Sequence, residues 1–300
     1  MTISLHSRHT VPAGLTTCEA VDPLFQQIRD LVYTASGIFL PDEKLYLLAA
    51  GCNRRIQQLP VLSPSEYWIF LKSPSHTAEL RELLNEITIG ETSLFRNRPQ
   101  LNALRRVILP ALTKKTTRAA KHLRIWCAGC STGEEPYTLA MTMLEAEAHL
   151  LKGWTIEIQA TDLNDRSLEA AQIGIYGDYA LRTTTAHFKN KYFSPVDTKT
   201  MRVHDEVKKL VTFRRLNLQD ESSMNLVKDM DVIFCRNVLI YFNHTSKSQV
   251  IRHFFSSLNL GGYLFLGTAE SLMKLNRQFH PVHFPGTIAY RKPSLDALPL

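Results

Sequence analysis

From His122 onward, short β-prone apolar runs alternate with apolar-striped helical segments, and this alternation limits the fold more than any other feature of the chain. HLRIWCAG (122–129) reads as a buried strand ending in glycine, and PYTLAMTMLEAEAHLL (136–151) as a helix with one apolar stripe. WTIEIQATD (154–162) is a second strand and DRSLEAAQIG (165–174) a second helix. VTFRRLNL (211–218), DVIFCRN (231–237), YLFLG (263–267) and TIAYRK (287–292) are further strands. HTSKSQVIRHFFSSLNLGG (244–262) reads as a helix closed by its Gly-Gly pair. Such alternation with short connections packs as a doubly wound, mainly parallel α/β sheet.

The first part of the chain has a different period. After residues 1–20, polar and expected to be flexible, 21–87 read as a small helical bundle without strands. Leu24, Phe25, Ile28, Leu31 and Val32 mark one face of its first helix, and Gly37 follows at a helix end. Residues 88–122 are expected to hold a linker and the start of the second, α/β domain, which continues over 123–296. Residues 174–210 are too long for an ordinary loop. They read as a short helical piece and a small antiparallel insertion over about 190–212.

Composition narrows the environment. No apolar run approaches the ~20 residues of a membrane span, and the N-terminus lacks the pattern of a secretory signal. Five cysteines, an odd and scattered set, fit a reducing cytoplasm. The formal charge of +7 favours anionic partners. The basic residues are isolated pairs, not an aromatic-interleaved run, so no nucleic acid partner is expected.

The segment WCAGCSTGEEPY (126–137) carries the first chemical signal. Cys127 and Cys130 lack the further ligands a zinc site needs, so they read as small residues packing a strand-to-loop turn, with no metal expected. There is no GxxxxGK[ST] and no GxGxxG, and Glu134 and Glu135 at the helix start would repel a phosphate. A glycine turn beside carboxylates, at the end of a first strand, suits a ligand with positive charge and hydroxyls. S-adenosylmethionine fits that description. Asp162 ends the next strand, where it either accepts ribose hydroxyls or caps the following helix.

AGCSTGEEPYTLAM, ATDLNDRSLEAA, FRRLNLQD, DVIFCRNVLIYF and GGYLFLGTAESL, with TIGETSLFRN at 88–97 before them, resemble the successive motifs of the CheR-type chemotaxis receptor methyltransferases. The resemblance runs from about residue 22 to 292. It implies an N-terminal helical bundle, a Rossmann-like methyltransferase domain and a small antiparallel β-subdomain inserted in it. It implies methyl transfer from S-adenosylmethionine to glutamate carboxylates on the cytoplasmic helices of chemoreceptors, with S-adenosylhomocysteine as product. By the same resemblance Gly90, Thr92 and Arg96 reach the cofactor site, and Glu134 or Glu135 faces the cofactor. Asp162 holds the ribose, Asn217 and Leu218 flank the adenine, Arg236 and Asn237 stand near the reactive centre, and Tyr241 lies close by.

A glutamate carboxylate, with a pKa of about 4.3, is already ionised and needs no general base. The expected catalytic residues, Arg96 and Tyr241, therefore orient the acceptor, with Arg236 a second candidate. Lys44, Arg54 and Arg55 are the expected docking cations of the second helix, and Gly51 replaces an arginine frequent in the family. YFSPVDTKTMRVHDEV (192–207) has no glycine, so no tether to a receptor tail pentapeptide is expected. A monomer is expected. The alternatives are the same chemistry on RNA or a small carboxylate, or a non-catalytic adenosylmethionine-binding module.

Overall fold

The computed structural model describes residues 23–88, 90–114, 121–147, 149–273 and 275–294; the expectation for residues 1–20 lies outside them. Four helices come first: α1 (Pro23–Ser36), α2 (Leu45–Ile56), α3 (Pro64–Lys72) and α4 (Thr77–Ile87). Helix α1 turns Phe25, Ile28 and Val32 inward at helical spacing. Helix α2 meets it with Leu45, Leu48 and Cys52. Ser63 caps α3 by accepting the Glu66 amide at 3.2 Å, with Pro64 at the first helical position.

Residues 88–97 lead into α5 (Arg98–Ala103) and α6 (Leu109–Lys114), joined by a π-helical stretch Leu104–Ile108. That stretch ends two residues before Pro110, which has no N–H to give the helical ladder.

The catalytic domain then follows the predicted alternation. In order come β1 (His122–Ala128), α7 (Glu134–Glu147), β2 (Thr155–Asp162), α8 (Asp165–Ile173), β3 (Ile175–Gly177), α9 (Asp178–Leu181), α10 (Ala186–Tyr192), β4 (Phe193–Pro195), β5 (Thr200–Val203) and α11 (Asp205–Lys208). They are followed by β6 (Val211–Arg215), α12 (Glu221–Met224), β7 (Met230–Cys235), α13 (His244–Ser257), β8 (Leu258–Leu266), β9 (His280–Phe284) and β10 (Thr287–Arg291). Seven strands form one sheet in the order β6-β2-β1-β7-β8-β10-β9. The first five are parallel; β10 runs antiparallel to β8, and β9 runs antiparallel to β10. Strand β1 lies inside the sheet between β2 and β7, where alternate residues serve opposite faces. Trp126 and Ala128 join a core continuous with the helical bundle, whereas Ile125 and Cys127 pack with α7 and the small sheet.

Two expectations change, and one strand was not anticipated. The inserted sheet, β3-β5-β4, begins at Ile175, before the anticipated 190–212 span, and Val211 and Thr212 already belong to β6 of the main sheet. The Gly-Gly pair does not close a helix. Helix α13 ends at Ser257, and Gly261 and Gly262 lie inside β8. A Cβ on Gly262 would stand 2.9 Å from the Asp231 carbonyl, so the pair serves strand contact at the β7–β8 irregularity. Strand β9, HPVHF, escaped the sequence reading because proline and two histidines mask its alternation.

Candidate active site

The site forms where β1 and β2 end. Past Ala128 the backbone enters the left-handed region at Gly129 (φ 78°), Ser131 (φ 49°) and Gly133 (φ 92°). Glycine is required at 129 twice over, by its φ and because a Cβ would meet Val238 at 2.3 Å. The turn is fastened to β2: the Gly129 and Cys130 amides donate to the Thr161 carbonyl at 2.8 and 2.9 Å. The Ser131 amide donates to Asp162 Oδ2 at 2.7 Å.

Asp162 also accepts the Asn164 amide on Oδ1 at 2.9 Å. Burial pushes its carboxyl up, against those backbone donors. It does not cap α8. That role falls to Asn164, whose side chain accepts from the Ser167 amide at 3.0 Å.

A cleft of about 580 Å³ opens beside this turn. Thr88, Gly90, Glu91, Thr92 and Arg96 form one wall. Gly90 lies so close to the turn that a Cβ would sit 2.2 Å from Ser131 Oγ. Thr92 and Arg96 line the same wall, and Arg96 Nη1 donates to the Glu91 carbonyl at 3.0 Å. Asn217 and Leu218, past β6, line another side; Asn217 Nδ2 donates to the Ala35 carbonyl of α1 at 2.8 Å. The turn after β7 brings Arg236, Asn237 and Tyr241 to the cleft, with Tyr241 38% exposed. Burial and then the Glu270 charge push the Tyr241 phenol up, while Arg96 opposes them.

Two matches decide the family. A sequence model described as "CheR methyltransferase, all-alpha domain" matches residues 23–88, and one described as "CheR methyltransferase, SAM binding domain" matches 90–288. The chain belongs to the CheR methyltransferase family. It is 33% identical over 272 residues to Chemotaxis protein methyltransferase 2 of Vibrio cholerae, covering 91% of this chain and 93% of that one. It is 34% identical over 252 residues to a chemotaxis protein methyltransferase of Borreliella burgdorferi, covering 84% and 88%. With that of Escherichia coli it shares 31% identity over 261 residues, covering 86% and 87%.

This chain is thus an S-adenosylmethionine-dependent methyltransferase, and its cleft suits that cofactor. An acceptor-only carboxylate at Asp162, apolar walls at Leu163, Leu216 and Leu218, and a glycine turn without a phosphate-binding lysine match hydroxyls, an adenine and a sulfonium.

The two adjacent glutamates differ. Glu135 lines the cleft and receives Arg236 Nε at 2.5 Å. Glu134 turns away, accepts Thr132 Oγ1 at 2.7 Å, and has its carboxyl pushed up by burial. Arg236 is therefore committed. It also donates to the Arg96 carbonyl at 2.7 Å, and its side chain is 8% exposed.

The docking expectation is corrected in part. Lys44 stands exposed at the cleft. Arg55 is buried, donating from Nε and Nη2 to Glu79 at 2.9 and 2.8 Å, while Tyr67 donates to the same carboxylate at 2.8 Å. It is a structural residue of the bundle because α2 turns that face toward α3 and α4. Arg54 reaches Glu86 at 2.8 Å. Gly51 faces inward as well: a Cβ would meet Ile87 Cγ2 at 2.7 Å, so its missing side chain is a packing matter.

Cys127 and Cys130 are buried, and burial pushes both thiols well up. Among the described residues no three His, Cys, Asp or Glu side chains are grouped to hold a metal, and no helix is long and apolar enough to cross a membrane.

The sequence reading missed the segment Ile38, Phe39, Leu40 and Pro41, which borders the cleft. Its signal lay in GIFLP, an apolar run directly after a helix end. The Ile38–Phe242 bridge and the Phe39 amide to Tyr241 carbonyl bond, 2.8 Å, hold it in place.

Proposed function

We propose that this chain methylates glutamate side chains on the cytoplasmic helices of chemoreceptors, yielding glutamyl methyl esters and S-adenosylhomocysteine. The observation that carries this reading is a single cleft lined jointly by Thr92, Arg96, Asp162, Asn217, Leu218, Asn237 and Tyr241. When bound, the cofactor supplies an electrophilic methyl group on a sulfonium with a neutral leaving group.

Asp162 holds the ribose hydroxyls and thereby fixes the ligand to the end of β2, while Leu218 and Asn217 border the adenine. Glu135, neutralised by Arg236, is a rigid floor of the cleft. Gly90 and Thr92 close it from the interdomain segment. Arg96 spends one donor on Glu91 and turns the rest to the acceptor carboxylate. Tyr241, kept protonated at neutral pH, donates a hydrogen bond that orients the attacking oxygen. Orientation is the main task, because the acceptor carries its charge already.

Docking uses Lys44 together with the exposed Phe39 and Ile240 around the same mouth. No tail tether takes part. Strand β4 has three residues and ends in Pro195, which offers no N–H to an added strand. The β4–β5 turn is made without glycine by Asp197, whose Oδ1 accepts the Lys199 and Thr200 amides at 2.7 Å. The enzyme works in the cytoplasm as a monomer.

The test is transfer of labelled methyl into membranes bearing chemoreceptors, followed by mild alkali. Label released by alkali is expected from an ester. Alkali-stable label, or label only in RNA, would refute the reading.

A further inference from the structure

Glu270 lies outside the cleft lining, in the loop after β8, yet its carboxylate joins the cleft-lining turn after β7 to the end of β8. Oε2 accepts the Asn237 amide at 2.9 Å and the Gly267 amide at 2.7 Å, and Oε1 accepts the Ile240 amide at 3.3 Å. Asn237 and Ile240 belong to the turn after β7 that carries Arg236 and Tyr241. Asn237 is held there at a φ of 60°, a conformation that costs a non-glycine residue free energy unless its surroundings impose it. Gly267 permits the junction: a Cβ would stand 2.7 Å from Glu270 Oε2 and 2.9 Å from the Asn237 nitrogen.

We propose that Glu270 is a positioning residue for methyl transfer, its carboxylate clamping the β7 turn onto the end of β8 so that Tyr241 presents its hydroxyl to the acceptor. The proposal rests on the function proposed above. A carboxylate suits the task because it only accepts, and both oxygens are used; bonds from N–H groups to an ionised acceptor are the stronger kind. A glutamine offers one accepting oxygen and an NH₂ that would face N–H donors, so it cannot close both halves of the clamp. The same charge supports the protonated state of Tyr241 by pushing its phenol up.

The experiment is a double-mutant cycle of Glu270→Gln and Tyr241→Phe, read by initial rates of methyl incorporation into receptor membranes. Calorimetric S-adenosylhomocysteine binding and amide exchange at residues 237, 240 and 267 accompany it. Glu270→Gln is expected to lower kcat about 10-fold or more, as the loss of a charge-assisted bond would. Product affinity is expected to stay near the wild-type value, and the three amides to exchange faster. In the Tyr241→Phe background the Glu270→Gln penalty is expected to shrink, since both changes remove the same presentation of the hydroxyl. Glu270→Asp, which keeps the charge on a shorter arm, is expected to recover part of the rate, and it replaces Glu270→Gln in the cycle if that variant does not fold. Equal rate penalties with and without the Tyr241 hydroxyl, or unchanged exchange at the three amides, would overturn the proposal. An inactive wild-type protein would instead remove the proposed function, leaving amide exchange to decide whether the clamp exists.

Discussion

Arg236 Nε meets Glu135 at 2.5 Å across the floor of the cleft, with side chains 8% and 10% exposed. The pair joins the end of β7 to the first turn of α7. Two nearly dry charges survive only as a pair, and removing one leaves the other without compensation. Glu135→Ala is therefore expected to cost about 3–5 kcal/mol of folding stability. Urea unfolding of wild type and variant measures it, and a loss below the range of an ordinary surface change would contradict the pairing.

Asp162 holds the glycine turn through the Ser131 amide as well as facing the cleft. Asp162→Ala is expected to weaken S-adenosylhomocysteine binding by roughly 1.5–3 kcal/mol, the range for a hydrogen bond to a charged group. Isothermal calorimetry showing the wild-type affinity would remove Asp162 from the ligand site.

Gly51 sets two opposing effects against each other. Alanine gains ~1 kcal/mol of helix propensity over glycine. Its methyl would meet Ile87 Cγ2 at 2.7 Å, and overpacking of this kind costs ~1–3 kcal/mol. Ile87 is β-branched and stiff at χ1, so the clash wins and Gly51→Ala is expected to lower the melting temperature. A calorimetric rise in Tm would show that α2 and α4 can move apart freely.

Glu145 on α7 gathers Lys191 and Tyr192 at 2.8 Å and His187 at 3.2 Å from α10 and its end, tying the small sheet's helix to the main domain. Burial pushes its carboxyl up, but these three donors outweigh it and bring it down to about 2. A carboxyl lowered on folding contributes stability above its unfolded value near ~4.3, and that contribution is lost as pH falls toward the folded value. Glu145→Gln is thus expected to be less stable than wild type at pH 7, with the gap closing as the pH drops below ~4. Unfolding curves over that range check it; a gap that is constant down to pH 2.5 would contradict the assignment.

The order of strands and helices from His122 onward was readable in the sequence, because a parallel interior strand buries both faces and prints as a mostly apolar run, as in HLRIWCA and MDVIFC. The all-helical start was readable too, since Phe25, Ile28 and Val32 repeat at helical spacing. The positions of Asp162 and Arg236 were readable as well, because they stand at the carboxyl ends of β2 and β7, where such sheets bind ligands, whereas Ile38 to Pro41 follow no sheet strand and were missed. Tertiary structure alone decided which charges are available. Arg54 and Arg55 are adjacent in sequence, yet one lies half exposed beside Glu86 and the other is sealed against Glu79 and Tyr67. Glu134 and Glu135 divide in the same way, toward Thr132 and toward Arg236. Sequence records the type of a side chain and its local period, whereas a partner 24 or 101 positions away is chosen by how helices and strands pack. The same holds for the clamp at Glu270, whose donors at 237, 240 and 267 are backbone amides that carry no mark in the sequence.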